Sequence, residues 1–185
     1  MDDMAARAEP WQTAEIPGPK KAMVITNPQI VVALIKRSKN PVLIVGSMAP
    51  QIRLNEGDLV DYSIQIAEAA KAPIVSSPNI VKEFLERNFR RVFAMPIVDI
   101  ANRLADDEWT GLEGKGQHDL AMFLGFKYYV CWLILSGLKH FSKNLRTISL
   151  EMHYQPHALW SFPNLSKDEW EKSLNAIIKS LKEGK

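Results

Sequence analysis

The sequence predicts an α/β fold, a three-layer sandwich in which helices cover both faces of a mainly parallel sheet. Residues 42–45 are four apolar residues that stand between Pro41 and Gly46. A short apolar run bounded by helix and strand breakers is typical of a strand buried on both faces, as the strands of parallel sheets are. Further along the chain, candidate strands alternate with amphipathic helical patterns, and this alternation is typical of the same fold class.

Residues 1–22 are predicted to be an N-terminal arm, and residues 23–185 a single α/β domain. Pro17, Gly18 and Pro19, which follow one another in the arm, prevent a regular helix there. Trp11 either packs against its own domain or contacts a partner. Because tryptophan is frequent among interface anchors, Trp11, Pro17 and Trp109 are the predicted partner contacts.

The first half of the domain is predicted to alternate between helices and strands. Asn27 and Pro28 predict the start of the first helix, and the first strand covers residues 41–46. Residues 47–57 form a predicted loop of a length that often marks a binding loop, and the next helix starts near Asp58. There follow a strand over residues 73–76, a helix through Val81 and Phe84, a short strand over 91–95 and a helix over 97–104.

The second half repeats the alternation. Residues 106–118 are a predicted surface connection, and residues 119–124 the next strand. Residues 128–141 are apolar nearly all round, which predicts a buried helix that lies between the sheet and something else. A strand over residues 147–150 follows. The last helix begins at a capping box that Ser166 and Glu169 form.

Composition excludes several classes of protein. The chain has 185 residues with 46% hydrophobic and 24% charged residues, which suits one globular domain. A net charge of +2 and scattered basic residues give no reason to expect a nucleic-acid partner. The longest apolar run, residues 130–135, is far short of the roughly 20 residues that cross a bilayer. With two acidic residues near its start instead of a signal peptide, the chain is predicted to be a cytoplasmic protein without a membrane partner.

Glycine, serine and asparagine follow three of the predicted strands. The carboxyl ends of parallel strands are where such folds bind nucleotides, and backbone amides there can hold phosphate. The sequence lacks the glycine fingerprint of dinucleotide-binding folds and the phosphate-binding loop of nucleotide hydrolases, so ordinary turn chemistry is the alternative. The candidate FAD- or NAD-binding residues are Gly46, Ser47, Ser76, Ser77, Asn79 and Gly125.

No set of residues predicts catalysis or a metal site. His153 and His157 are four residues apart with a proline between them, which predicts two loop histidines at the surface and leaves a binding role open. Glu151 is the one carboxylate placed directly after a strand. Cys131 is the only cysteine, so the chain alone can form neither an internal disulfide nor a four-thiolate iron–sulfur cluster. The prediction is a chain without enzyme activity of its own.

Several segments together resemble the epsilon subunit of the archaeal acetyl-CoA decarbonylase/synthase complex. None of them is a catalytic signature, and the specificity lies in their order along nearly the whole chain. The segments are residues 11–20 (WQTAEIPGPK), 41–46 (PVLIVG), 108–116 (EWTGLEGKG), 119–125, 141–150 and 161–166.

The resemblance implies a non-catalytic subunit that associates with a large alpha subunit. That subunit carries a nickel–iron–sulfur centre, and two alpha and two epsilon subunits form a carbon monoxide dehydrogenase component. The implied role is to stabilise this component or to aid electron transfer to FAD, and the implied fold is similar to the NAD/FAD-binding domain of deoxyhypusine synthase. Two alternatives stay open: a stand-alone FAD- or NAD-binding electron-transfer protein, and an enzyme of the deoxyhypusine-synthase type. Only His153, His157 and Lys127 offer chemistry for the second.

Overall fold

The computed structural model describes residues 20–184 and shows a three-layer α/β sandwich, as the sequence predicts. The strands are β1 (Met23–Val24), β2 (Pro41–Val45), β3 (Arg53–Leu54), β4 (Gly57–Asp58), β5 (Ile74–Ser76), β6 (Val92–Ala94), β7 (Leu120–Leu124), β8 (Arg146–Ser149) and β9 (Trp160–Ser161). The helices are α1 (Gln29–Arg37), α2 (Leu59–Ala70), α3 (Val81–Glu86), α4 (Ile97–Ala105), α5 (Tyr128–Phe141) and α6 (Lys167–Glu183).

Seven parallel strands form the central sheet in the order β1-β9-β8-β7-β2-β5-β6. From β2 the chain winds outward through β5 and β6, and from β7 it winds the other way through β8 and β9. The β2–β7 pair is therefore the topological switch point, where a crevice opens at the carboxyl ends of the strands of such sheets.

The two faces of the sheet carry separate apolar cores. Helices α1, α2, α3 and α6 cover one face, and side chains such as Leu43 and Met122 point into that layer. Helices α4 and α5 cover the other face, against Ile44 and Phe123. Side chains from alternate positions of β2 and β7 thus enter opposite layers, which explains the uninterrupted apolar runs of both strands.

Residues 47–57 differ from the predicted loop. They fold into a 3₁₀ turn (Ala49–Gln51) and an antiparallel hairpin of β3 and β4. The hairpin is tied to α6, because Asn55 donates from its backbone and its side chain to the carboxylate of Glu171, at 2.8 and 2.7 Å. The hydroxyl of Tyr62 on α2 donates to the same carboxylate at 2.6 Å. These contacts turn a predicted binding loop into a fixed part of the scaffold.

Helix α5 also differs from its prediction. Of its apolar side chains, Cys131, Leu135 and Leu138 are buried, whereas Tyr129, Leu133 and Phe141 are exposed. The helix is the outer layer on its face of the sheet, so nothing among residues 20–184 covers its outer side. An apolar pattern on all sides therefore did not mean burial on all sides.

The remaining predicted elements agree with the structure to within one or two residues; the capping box of α6 is present, and the N-cap of α1 lies at Pro28, one residue after the predicted Asn27. Asn27 accepts from the backbone N–H of Gln29 at 2.9 Å, and Ser166 and Glu169 form the capping box of α6. The sequence analysis missed β1 and β9, each only two residues long. In the described part of the chain, no helix has the length and apolar character needed to cross a membrane.

Candidate functional site

The switch point brings the glycines after β2 and β7 into contact. A side chain at Gly46 would collide with the carbonyl oxygen of Gly125 and with the ring of Phe126. Gly125 has a positive φ of 80°, which L-residues with side chains rarely adopt, and a Cβ there would lie 3.0 Å from that of Ala49. Both glycines are thus required by close packing, and the Phe126 ring lies directly against Gly46.

A buried carboxylate occupies the backbone donors at this edge. Glu151, two residues after β8, accepts from the backbone N–H of Phe126 at 2.8 Å and also from that of Gly125. Burial raises the pKa of this carboxyl to about 8, although both amides oppose the shift. Glu151 therefore joins the end of β8 to the connection between β7 and α5, and its side chain holds the position at which an external anion would bind.

The other predicted ligands of a nucleotide lie in different environments at the same edge. Ser76 ends β5 and is completely buried, and within residues 20–184 its hydroxyl has no hydrogen-bond partner. Ser47 and Ser77 are half-buried, and the backbone N–H of Ser77 donates to the carbonyl of Val45. Asn79 lies in a 3₁₀ turn with its side chain exposed. Gly46, Gly125 and Ser76 thus lie on neighbouring strands, and Asn79 is further out.

The residues present do not by themselves complete a flavin site. A dinucleotide needs free backbone donors for its pyrophosphate, and here the amides of Gly125 and Phe126 already bind Glu151. Among the predicted ligands in the described residues, Ser76 is the one whose side-chain hydroxyl is buried and lacks a hydrogen-bond partner.

The two histidines have different surroundings. His153 is exposed, as predicted, but His157 is buried, so the prediction of a surface position was wrong for it. The ring of Trp132 packs edge-on against the His157 ring, with centroids 4.7 Å apart, and this packing removes His157 from solvent. Burial lowers the pKa of His157 to about 4, and nearby Lys139 and His140 add to the shift. Lys127 is exposed, and no group of three His, Cys, Asp or Glu side chains in the described residues could hold a metal.

Among the described residues, the most exposed large apolar side chains are on α4 and α5. Val98 is 59% exposed, Leu133 59% and Phe141 74%. They border a groove between the two helices of about 460 Å³, whose floor includes Ala101 and Gly137. Such clusters of exposed large apolar side chains are typical of protein–protein interfaces. We call the surface formed by Val98, Leu133, Phe141 and this groove the α4–α5 face.

Of the three predicted partner contacts, only Trp109 falls within the described residues, and it is not one of the residues that form the α4–α5 face. Trp109, in the connection between α4 and β7, is half-buried against the core beneath α4 and α5, and its ring lies 5.5 Å from that of His118. Trp11 and Pro17 lie outside the described residues.

Comparison with known proteins gives one clear result. Residues 4–178 match the sequence model of the family described as CO dehydrogenase beta subunit/acetyl-CoA synthase epsilon subunit. The chain belongs to this family. A relative from Methanothermobacter thermautotrophicus is 33% identical over 92% of this chain and 95% of its own length, and one from Archaeoglobus fulgidus is 36% identical over 87% and 84%. A third, from Methanothrix soehngenii, is 29% identical over 94% and 91%. All three are named as epsilon subunits of the acetyl-CoA decarbonylase/synthase complex.

In this family member, sequence reasoning missed two features of the candidate site. The sequence places Glu151 just after a strand. Its contacts with the backbone N–H groups after β7, however, depend on the tertiary path of the chain beyond β8, which the sequence does not reveal. The α4–α5 face was missed because an apolar side chain that faces solvent and one that faces the core look alike in sequence. The signal that could have revealed it is the width of the apolar pattern on α5, which exceeds what one buried face needs.

Proposed function

We propose that the chain is a non-catalytic epsilon subunit of the acetyl-CoA decarbonylase/synthase complex. In this proposal it docks on the large alpha subunit, with two copies of each in the carbon monoxide dehydrogenase component, and stabilises that subunit. The names of its relatives support the assignment to the complex. The observation that carries the docking role is the α4–α5 face, with large apolar side chains more than half exposed on neighbouring helices.

The arrangement of this face is suited to a stable contact. Phe141 and Leu133 stand at the rim of the groove, and small residues at its floor leave space for side chains of a partner. Burying a large apolar side chain contributes about 1.5–3 kcal/mol, and aromatic residues that fill pockets are frequent hot spots of binding. The arm residues Trp11 and Pro17, together with Trp109, are proposed as additional contacts.

Co-purification with the large subunit tests the proposal. The tagged chain is expressed with the alpha subunit, and the complex is measured by size-exclusion chromatography with light scattering. We expect the wild-type chain to form a complex of two alpha and two epsilon subunits, and Leu133→Ser with Phe141→Ser to abolish it. The matched control is Leu85→Ser on α3, which is 39% exposed and lies in the opposite layer. If the double variant binds as well as the wild type, the α4–α5 face is not the docking surface.

The second candidate function is electron transfer through FAD. The buried hydroxyl of Ser76, which has no partner in the described residues, favours a ligand at the carboxyl edge. The backbone N–H groups of Gly125 and Phe126, however, already donate to Glu151, so this chain alone lacks the donors that a flavin pyrophosphate would need. We therefore propose that the isolated chain holds no cofactor firmly. FAD would bind at this edge only when the large subunit supplies further contacts.

Titration with FAD separates these possibilities. Flavin fluorescence is followed with the isolated chain and with the co-purified complex, and Ser76→Trp is introduced to fill the edge. We expect no saturable quenching with the isolated chain, and quenching by the complex that Ser76→Trp removes. Tight binding to the isolated chain would instead support a stand-alone flavin protein, and no binding to either sample would remove flavin from the proposal.

A further inference from the structure

The connection between α4 and β7 contains a closed loop. The backbone N–H of Gly116 donates to the carbonyl of Thr110 at 3.0 Å. Gly111 has a positive φ of 78°, and a Cβ there would collide with the carbonyl oxygen of Gly116. From outside the loop, the side-chain amide of Asn40, directly before β2, donates to the Gly116 carbonyl at 2.8 Å. We call residues 109–116 the Trp109 loop.

A buried histidine joins this loop to the rest of the chain. His118, two residues before β7, is 5% exposed, and both of its ring nitrogens have partners. Its Nδ1 lies 3.0 Å from the carbonyl oxygen of Asn40, and its Nε2 lies 3.3 Å from the backbone nitrogen of Leu112. The ring of Trp109 packs against the imidazole, with centroids 5.5 Å apart. His118 thus connects the Trp109 loop to the residue before β2.

These partners determine the protonation state of the ring. A carbonyl oxygen can only accept, so Nδ1 carries a proton, and a backbone N–H can only donate, so Nε2 carries none. The folded chain therefore requires a neutral imidazole in one tautomer. A second proton, on Nε2, would point at the N–H of Leu112 and place two donors against each other. Burial lowers the pKa of His118 below its ordinary 6.5, which agrees with a ring that is neutral in the folded chain.

Two carboxylates act on His118. Asp119 follows it in the chain and Glu113 lies in the Trp109 loop, and both favour the charged form of the imidazole. Each has a cation of its own, since Asp119 pairs with Arg146 at 2.8 Å and Glu113 pairs with Arg91 at 2.9 Å. The other neighbours of the imidazole, a backbone carbonyl before β2 and an indole ring, carry no charge. Burial outweighs the two carboxylates, so the ring takes up a second proton only at acid pH.

We propose that His118 is a proton-sensitive latch: its neutral form holds the Trp109 loop closed, and a proton on Nε2 opens the loop at Leu112. The imidazolium loses its bond to the Leu112 N–H and must regain water, because a buried charge without an acceptor is unfavourable. Trp109 is half-buried and lies against the imidazole, so hydration of the ring requires the indole to move. Trp109 is also a proposed contact with the large subunit, and the latch would therefore weaken that contact at acid pH. This consequence rests on the proposed function, whereas the latch itself does not.

Hydrogen exchange of the full chain, followed by NMR without the large subunit, tests the latch. In the open loop the histidine regains its ordinary pKa of 6.5. Opening should then become about tenfold more frequent for each pH unit below that value, until the pH reaches the pKa of the folded histidine. We expect the protection of the Leu112 amide to fall by this factor. The protection of the Met122 amide, in the buried strand β7, should stay constant over the same range.

Replacing His118 by glutamine removes the titration and keeps the hydrogen bonds. A glutamine side chain is uncharged at every pH, and it offers an amide donor for Asn40 and a carbonyl acceptor for Leu112. In His118→Gln the protection of the Leu112 amide should not change with pH. The matched control is His153→Gln, because His153 is exposed. This control should keep the pH dependence of the wild type.

A spectrum of the wild-type chain keeps the test decisive if His118→Gln fails to fold. Long-range ¹H–¹⁵N spectra at about pH 7.5 should show His118 as a neutral ring protonated on Nδ1. The proposal is overturned if Nε2 carries the proton, if Leu112 and Met122 lose protection together, or if His118→Gln keeps the pH dependence of the wild type. A chain that does not co-purify with the large subunit would leave all of these results unchanged, so the latch and the docking role fail separately.

Discussion

Replacing Glu151 by glutamine should change how the stability of the fold depends on pH. In the native chain, burial raises the pKa of this carboxyl from its ordinary 4.5 to about 8. At low pH the carboxyl is protonated in both the folded and the unfolded chain. As the pH rises, the unfolded chain releases the proton first, so the free energy of unfolding falls until the pH passes about 8.

The variant cannot ionise and should not show this loss. Relative to that of the wild type, the free energy of unfolding of Glu151→Gln should rise by on the order of 3 kcal/mol between about pH 5 and about pH 8. This figure converts the pKa difference of Glu151 between the folded and unfolded chains into free energy. At about pH 5 the two proteins should differ by no more than about 1 kcal/mol, because the glutamine oxygen can still accept from the amides.

Urea unfolding at a series of pH values measures this difference. Glu68→Gln, an exposed carboxylate on α2, is the control and should follow the wild type at every pH. If the free energies of wild type and Glu151→Gln stay parallel across the range, Glu151 is ionised in the folded chain at neutral pH. Our account of the carboxyl edge would then be wrong.

Three further predictions concern the scaffold. Gly46→Ala should lower the free energy of unfolding by about 2–3 kcal/mol, since the added Cβ collides with backbone and an aromatic ring. Gly137→Ala is the control: a Cβ there meets nothing within 4 Å, so this variant should be neutral or slightly stabilising in the same urea assay. Glu171→Ala should cost about 3–5 kcal/mol by chemical unfolding, because it leaves the buried Tyr62 hydroxyl without an acceptor and releases the hairpin at Asn55. A loss below about 1 kcal/mol would contradict this role. Burial would raise the pKa of Asp119, but its hydrogen bonds and an ion pair outweigh burial and lower that pKa. The stability that Asp119 contributes is therefore present above the ordinary carboxyl pKa, and it is lost as the pH falls through the pKa of the folded chain. Asp119→Asn should thus cost about 1–2 kcal/mol at neutral pH, and this cost should shrink as the pH falls below the ordinary carboxyl pKa, as measured by thermal unfolding.

The order of strands and helices was predictable because most elements carry a strong local signal. Residues 41–45 are apolar at every position and end at a glycine, and the capping box at Ser166 fixes the start of α6. The strands β1 and β9 were not predictable, because two residues are too few for any periodicity. The hairpin of β3 and β4 depends on a contact with Glu171, more than a hundred residues away in the chain, so local patterns gave no sign of it.

The candidate site was predictable in position rather than in chemistry. The rule that ligands bind beyond the carboxyl ends of parallel strands pointed to Gly46, Ser76 and Gly125, and the structure places all three on neighbouring strands. The backbone N–H groups of Gly125 and Phe126 already donate to Glu151, which reaches them from beyond β8. Such a contact follows from tertiary packing and has no signature in the spacing of residues.

The pairing of β1 with β9 joins the beginning of the described chain to a strand near its end. During synthesis on the ribosome, Met23 and Val24 have no partner until Trp160 and Ser161 have emerged, so this edge is completed after the rest of the sheet. The backbone of Ala22, which donates to Pro156 and accepts from Tyr154, is fixed at the same late step. A partner that contacts the chain next to β1 would therefore meet that surface only on a chain whose central sheet is complete.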